Sequence, residues 1–147
     1  MLKVKPLMMR TLVLAALALA SLGSGGFAAA EDMRPSQLAC DDRKIGGRDL
    51  ADCLRSAADH ADRQLAAAVE AANKSIEARQ GLLSPQKARW RRSLTESQAL
   101  WINWRDEECQ DVAPFEAGMA AKGGDPRLSC IIDTDSQRAA SLKARYP

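Results

Sequence analysis

Residues 94–109 read LTESQALWINWRDEEC. Within them Leu94, Gln98, Trp101, Arg105 and Cys109 succeed one another at intervals of 4, 3, 4 and 4 residues, the spacing of a single helix face. An amide, an indole, a guanidinium and a thiol on one stripe do not make a simple apolar seam. Buried polar groups need partners, so the rest of the chain has to supply them. Just upstream, Ser84-Pro85 is a helix start in the favoured order of N-cap and N1. Trp90 extends the same face and Trp104 sits at its edge. A helix is therefore expected from Ser84 to about Cys109.

Working outward toward the N-terminus, Leu50, Leu54, Ala57, Ala61, Leu65, Ala68, Ala72 and Ile76 recur every three or four residues. This is one apolar stripe with charges opposite. Asp49 is the expected N-cap, Asp52 adds negative charge to the first turn, and Gly81 is the expected stop. Residues 31–47 are polar and carry Pro35, Gly46 and Gly47; they read as a lead-in with one short helical turn. Toward the C-terminus, residues 110–129 hold Pro114, Gly118, Gly123, Gly124 and Pro126. They read as a loop with a short turn near residues 115–121. A last helix is expected from Asp133 or Thr134, with Arg138 and Leu142 on its face. No strand alternation appears. The fold class is all-α: a long antiparallel helical hairpin plus a short C-terminal helix, stapled by two disulfides.

The first ten residues carry Lys3, Lys5 and Arg10 and no acid, and an apolar run follows to Leu22. Ala28-Ala29-Ala30 closes the pattern of a cleavable export signal, with cleavage expected after Ala30. The apolar run is shorter than the roughly 20 residues a spanning helix needs. Leu38-Ala39-Cys40 does not read as a lipid-attachment site, because Gln37 suits one poorly and the cysteine lies far beyond the apolar run. The expected mature chain, residues 31–147, is one domain without a transmembrane helix, in the periplasm or secreted. Of the 21 basic residues three lie in the signal, so 18 face 19 acids. The mature charge is near −1, which gives no general pull toward nucleic acid.

Cys40, Cys53, Cys109 and Cys130 are the only thiols. An even number in an exported chain argues for two disulfides. Zinc fits poorly, since there is no Cys-x-x-Cys and His60 is the only imidazole; no metal and no cofactor are expected. Cys40–Cys53 with Cys109–Cys130 is the preferred pairing, each bridge worth about 3 kcal/mol on the chain-entropy model. Cys53–Cys109 with Cys40–Cys130 stays open, because a hairpin turning near Leu82 brings Cys53 and Cys109 to one end. Cys40–Cys109 with Cys53–Cys130 ranks last.

With these residues the chain resembles the LprI-like lysozyme inhibitor family. The resemblance rests on Cys40 and Cys53, on Ala61, Asp62 and Leu65, and on Leu94, Gln98, Trp101, Arg105, Asp106 and Cys109. Gly123, Gly124, Cys130, Thr134, Arg138 and Leu142 complete it. It covers residues 40–142. Ala66 and Val69 depart from it, standing where the family often has Asn and Tyr. The resemblance implies a non-enzymatic inhibitor of lysozyme.

For Trp101, Gln98 and Arg105 a structural role is preferred. Gln98 is expected to serve the Trp101 N–H, and Arg105 to pair with Asp62 or Asp59 across the hairpin or to cap carbonyls near the loop. The alternative is an exposed Trp–Arg anchor for a partner. Asp106, Glu107, Glu108 and Asp111 are the partner-binding candidates, because acids at the end of helix two oppose its dipole and suit a basic target such as an animal-type lysozyme. The Gly123-Gly124 loop is a candidate plug for the lysozyme cleft. Lys87, Arg89, Arg91 and Arg92 read as a solvated run, and His60 as a surface residue. No nucleophile–base pair or phosphate loop is present, so catalysis, including a small-hydrolase reading, is not expected. The expected function is an exported lysozyme inhibitor working by non-covalent binding. The alternative is an envelope adaptor or structural protein that binds another exported protein and leaves lysozyme alone.

Overall fold

A computed structural model describes residues 33–118 and 124–147. The expected signal segment and Gly123 lie outside the described residues. Helix α1 is Pro35–Ala39, α2 is Gly47–Ala78 and α3 is Ser84–Glu107. A wider π-helical turn, Glu108–Val112, carries α3 into α4, Ala113–Ala117; α5 is Pro126–Arg145. No strand occurs among the described residues.

The apolar stripe read from the sequence is the buried face of α2, with Ala58 more deeply buried than Ala57. Asp49 is not the N-cap. Gly46 holds that position without a side-chain bond and Asp49 lies inside the first turn, where its charge still favours the helix dipole. The helix ends at Ala78, and Gly81 turns the chain two residues beyond the cap, with a φ of +79° that a side chain would strain. Ser84 is the first residue of α3 rather than its cap. The backbone N–H of Leu83 donates to Gln86 Oε1 at 2.8 Å, one half of a capping box.

Two expectations about the second half of the chain are corrected. The helical path does not stop at Cys109. Pro114 has no N–H for the carbonyl four residues back, and its ring crowds that carbonyl. The wider turn, in which Ala113 N–H reaches Glu108 O, absorbs that conflict. Gly118, with a φ of +57°, ends the path. The last helix begins at Pro126, earlier than expected, and runs for 20 residues. Asp125 accepts from Arg127 N at 3.0 Å, so Asp125-Pro126 is the cap-then-proline start that Ser84-Pro85 is not.

The longer α5 changes how the hairpin is held. Arg91 meets Glu77 at 2.6 Å and Arg105 meets Asp62 at 2.9 Å, which fixes α3 antiparallel to α2. Helix α5 lies along α2 more extensively than α3 does. It runs parallel to α2 and antiparallel to α3, so the bundle has three long helices. Ile132 packs with Cys40, Leu50, Leu54 and Ala58. Further along, Ala139, Leu142 and Tyr146 close over Leu65, Ala68, Ala72, Ile76 and Leu94. Small alanines on α2 let the helices approach closely, and the larger aliphatic groups supply most of the burial energy.

The disulfides are Cys40–Cys53 and Cys109–Cys130, with Cα separations of 5.9 and 5.3 Å. The rival pairing fails on register. Because Arg105 faces Asp62, Cys109 and Cys53 are offset along the hairpin by about 7 Å. Helix α5 brings Cys130 to Cys109 instead, and α1 brings Cys40 to Cys53. Asp133 of α5 fastens α1 from afar: its carboxylate accepts from Ser36 N at 2.7 Å and from Ser36 Oγ at 3.1 Å.

Candidate functional site

Arg105 projects from α3 into the seam where α2, α3 and α5 meet. Its Nη1 donates to Asp62 Oδ1 at 2.9 Å and to both oxygens of Asp135, at 3.0 and 3.1 Å. Its Nε and Nη2 donate to Asp106 Oδ1 at 3.0 and 2.8 Å. Of the two acids proposed to face Arg105, the structure selects Asp62. It adds Asp135, which is fully buried. Burial pushes the Asp135 carboxyl up to about 6; Arg105 pulls the other way and the neighbouring Asp62 adds to the rise.

Trp101 lies between two guanidiniums. Arg105 Cζ is 5.9 Å from its ring centre and Arg138 Cζ is 5.5 Å away, both within cation–π range. The expected Gln98–Trp101 hydrogen bond is not formed: the buried Gln98 Oε1 accepts from Arg138 Nε at 3.1 Å. Thr134 Oγ1 donates to Cys130 O at 2.7 Å, beside the second disulfide. Leu65 and Leu94 are core. Gly124 leads directly into the Asp125 cap of α5.

The motif residues thus fall into a structural set. Asp62, Gln98, Trp101, Arg105, Thr134 and Arg138 tie three helices together. What they leave exposed is a face on α3 and α4. Trp104 is 51% exposed and Phe115 86%. Glu107 and Asp111 are exposed and Glu108 is half-buried; among the described residues none of these three pairs with a base. Their expected conflict with a helix C-terminus is corrected, since the helical path continues to Ala117. Asp106 is committed to Arg105.

The remaining candidates are local. Lys87 and Arg91 brace the hairpin turn by donating to Glu77, its carbonyl at 2.5 Å and its carboxylate at 2.6 Å. His60 pairs with Gln64 at 2.8 Å on the surface. Sequence reasoning missed Asp135 and Asp133 because it began the last helix there. The signal was available, since Ile132, Asp135, Ala139 and Leu142 form one buried face at helical spacing.

Residues 40–142 match the family described as Lysozyme inhibitor LprI. The chain belongs to the LprI lysozyme inhibitor family. The matched span takes in both disulfides, the Arg105 cluster and the Arg138–Gln98 pair, so the LprI motif describes how this bundle is locked. The two departures from the LprI pattern are tolerated on the α2 surface: Ala66 is exposed and Val69 packs at the margin of the core. No curated protein and no solved structure matches the chain. No helix among the described residues is long and apolar enough to cross a membrane. Two disulfides fit a protein that works outside the reducing cytoplasm.

Proposed function

We propose that this protein is an exported inhibitor of lysozyme, periplasmic or secreted after cleavage at Ala30, that acts by non-covalent occlusion without a cofactor. One observation carries the reading beyond family membership: Trp104 on α3 and Phe115 on α4 are exposed, and between them in the chain stand Glu107, Glu108 and Asp111, acids that no base among the described residues neutralises. Exposed aromatics in a segment of uncompensated acid suit a basic partner. The charges accelerate encounter, and the rings supply desolvated contact. The Cys109–Cys130 bridge anchors the acidic turn, so little order has to be gained on binding.

The test is lysis of a bacterial cell-wall suspension by animal-type lysozyme, with oxidised protein and with a reduced, alkylated control. Dose-dependent protection that disappears on reduction supports the proposal. Absence of protection at large excess, against this and other lysozyme classes, overturns it and leaves the adaptor role.

A further inference from the structure

On the α5 side of Trp101 and Trp104 lies a groove of about 280 Å³, lined by those two rings with Thr134, Gln137, Arg138 and Ser141. The two tryptophans stand 6.3 Å apart and tilted, forming its aromatic wall. Arg138 is the informative residue. Arg105 is saturated by three carboxylates, whereas Arg138 has none within ion-pair distance among the described residues. Its one hydrogen bond there runs from Nε to the buried Gln98, which leaves both terminal amino groups without an acceptor. Burial, and then the neighbouring Arg145, weaken its hold on its proton, so an arriving anion relieves an existing electrostatic cost. Gln98 orients Arg138 through that Oε1 contact, while its Nε2 is buried without a hydrogen-bond partner among the described residues.

We propose that this groove binds a carboxylate-bearing pyranose, its ring face against the exposed Trp104 and its carboxylate on the terminal nitrogens of Arg138. The guanidinium offers the fork that matches a carboxylate. The exposed Gln137 amide and Ser141 hydroxyl make no hydrogen bonds among the described residues and are available to ring hydroxyls. The groove is large enough for one sugar ring, and it combines two indole rings with four polar side chains. The proposal does not rest on lysozyme binding: the two surfaces share Trp104, but Gln137, Arg138 and Ser141 of α5 belong to this groove alone.

Titration of the oxidised protein with N-acetylmuramic acid, followed by indole N–H chemical shifts, tests it. Saturable shifts at the Trp101 and Trp104 indoles are expected. N-acetylglucosamine, which lacks the carboxylate, is expected to bind at least tenfold more weakly. Glucuronic acid separates the sources: equal binding assigns the groove to carboxylated sugars generally, and weaker binding assigns it to muramic acid units. Arg138→Gln, and independently the surface changes Trp104→Ala and Gln137→Ala, should each weaken binding severalfold or more while the circular dichroism is kept; the last two serve if Arg138→Gln fails to fold. Equal affinity for the neutral sugar, absence of saturable shifts, tighter binding of an acidic peptide, or unchanged binding in Trp104→Ala would each overturn the proposal.

Discussion

Arg105 places a single nitrogen, Nη1, within 3.1 Å of both carboxylate oxygens of Asp135 and at 2.9 Å from Asp62. One guanidinium from α3 thereby binds an acid of α2 and an acid of α5. The three long helices are joined at this point, and the neighbouring disulfide, Cys109–Cys130, closes one turn away.

Truncation of this hub leaves a charge stranded. Arg105→Ala removes the counter-charge from a fully buried Asp135, and such broken buried pairs cost about 3–5 kcal/mol. Chemical denaturation with disulfides intact should show a loss of that size. A loss below about 1 kcal/mol would mean that Asp135 is not left as a stranded buried charge, through solvent access or uptake of a proton.

The pH dependence follows from the same carboxyl. Asp135 is raised to about 6 in the fold, against roughly 3.9 for a free aspartate. Between those values the folded state holds the proton more tightly than the unfolded state does, so this group's contribution to stability falls as pH rises from about 4 to about 6. The drop is on the order of 1–3 kcal/mol. The difference in denaturation midpoint between the native protein and Asp135→Asn, followed across that interval, should decline with pH; a flat difference would contradict the raised value.

The two tryptophans of α3 should separate cleanly. Trp101 packs against the core, and Trp101→Ala should cost about 3 kcal/mol or more with loss of helicity near the melting midpoint. Trp104 is half-exposed, and Trp104→Ala should cost less than about 1 kcal/mol. If Trp101→Ala keeps its stability and loses partner binding, the structural role assigned to Trp101 is wrong.

Charge reversal at the acidic turn tests partner recognition without touching the core. Glu107→Lys with Asp111→Lys should slow association with a basic lysozyme at low salt by tenfold or more, with little change in the dissociation rate. Raising the ionic strength should shrink the difference. Stopped-flow association rates at two salt concentrations decide it.

The link between α5 and α1 is testable by itself. Asp133 accepts two hydrogen bonds from Ser36 at the start of α1. Asp133→Ala should destabilise the fold by about 1–2 kcal/mol and raise amide exchange in residues 35–40, leaving the Trp101 region protected.

The sequence by itself determined the all-α class, the buried stripe of α2, the stripe of α3 and the family, because helical periodicity and motif spacing are local properties. It also supplied the two disulfides as a preference. Only the tertiary structure decided the rest. Helix α5 began at Asp125-Pro126 inside a stretch whose glycines and prolines read as loop, and α3 continued past Cys109 by widening around Pro114. Packing of α5 against α2 and α3 placed Asp135 under Arg105 and Arg138 over Trp101. No local pattern reveals such pairings, because each depends on the register between helices far apart in the chain. That register is set by burial of Ile132, Ala139 and Leu142 against α2, and a carboxylate carried inward on the same face is tolerated there because Arg105 meets it.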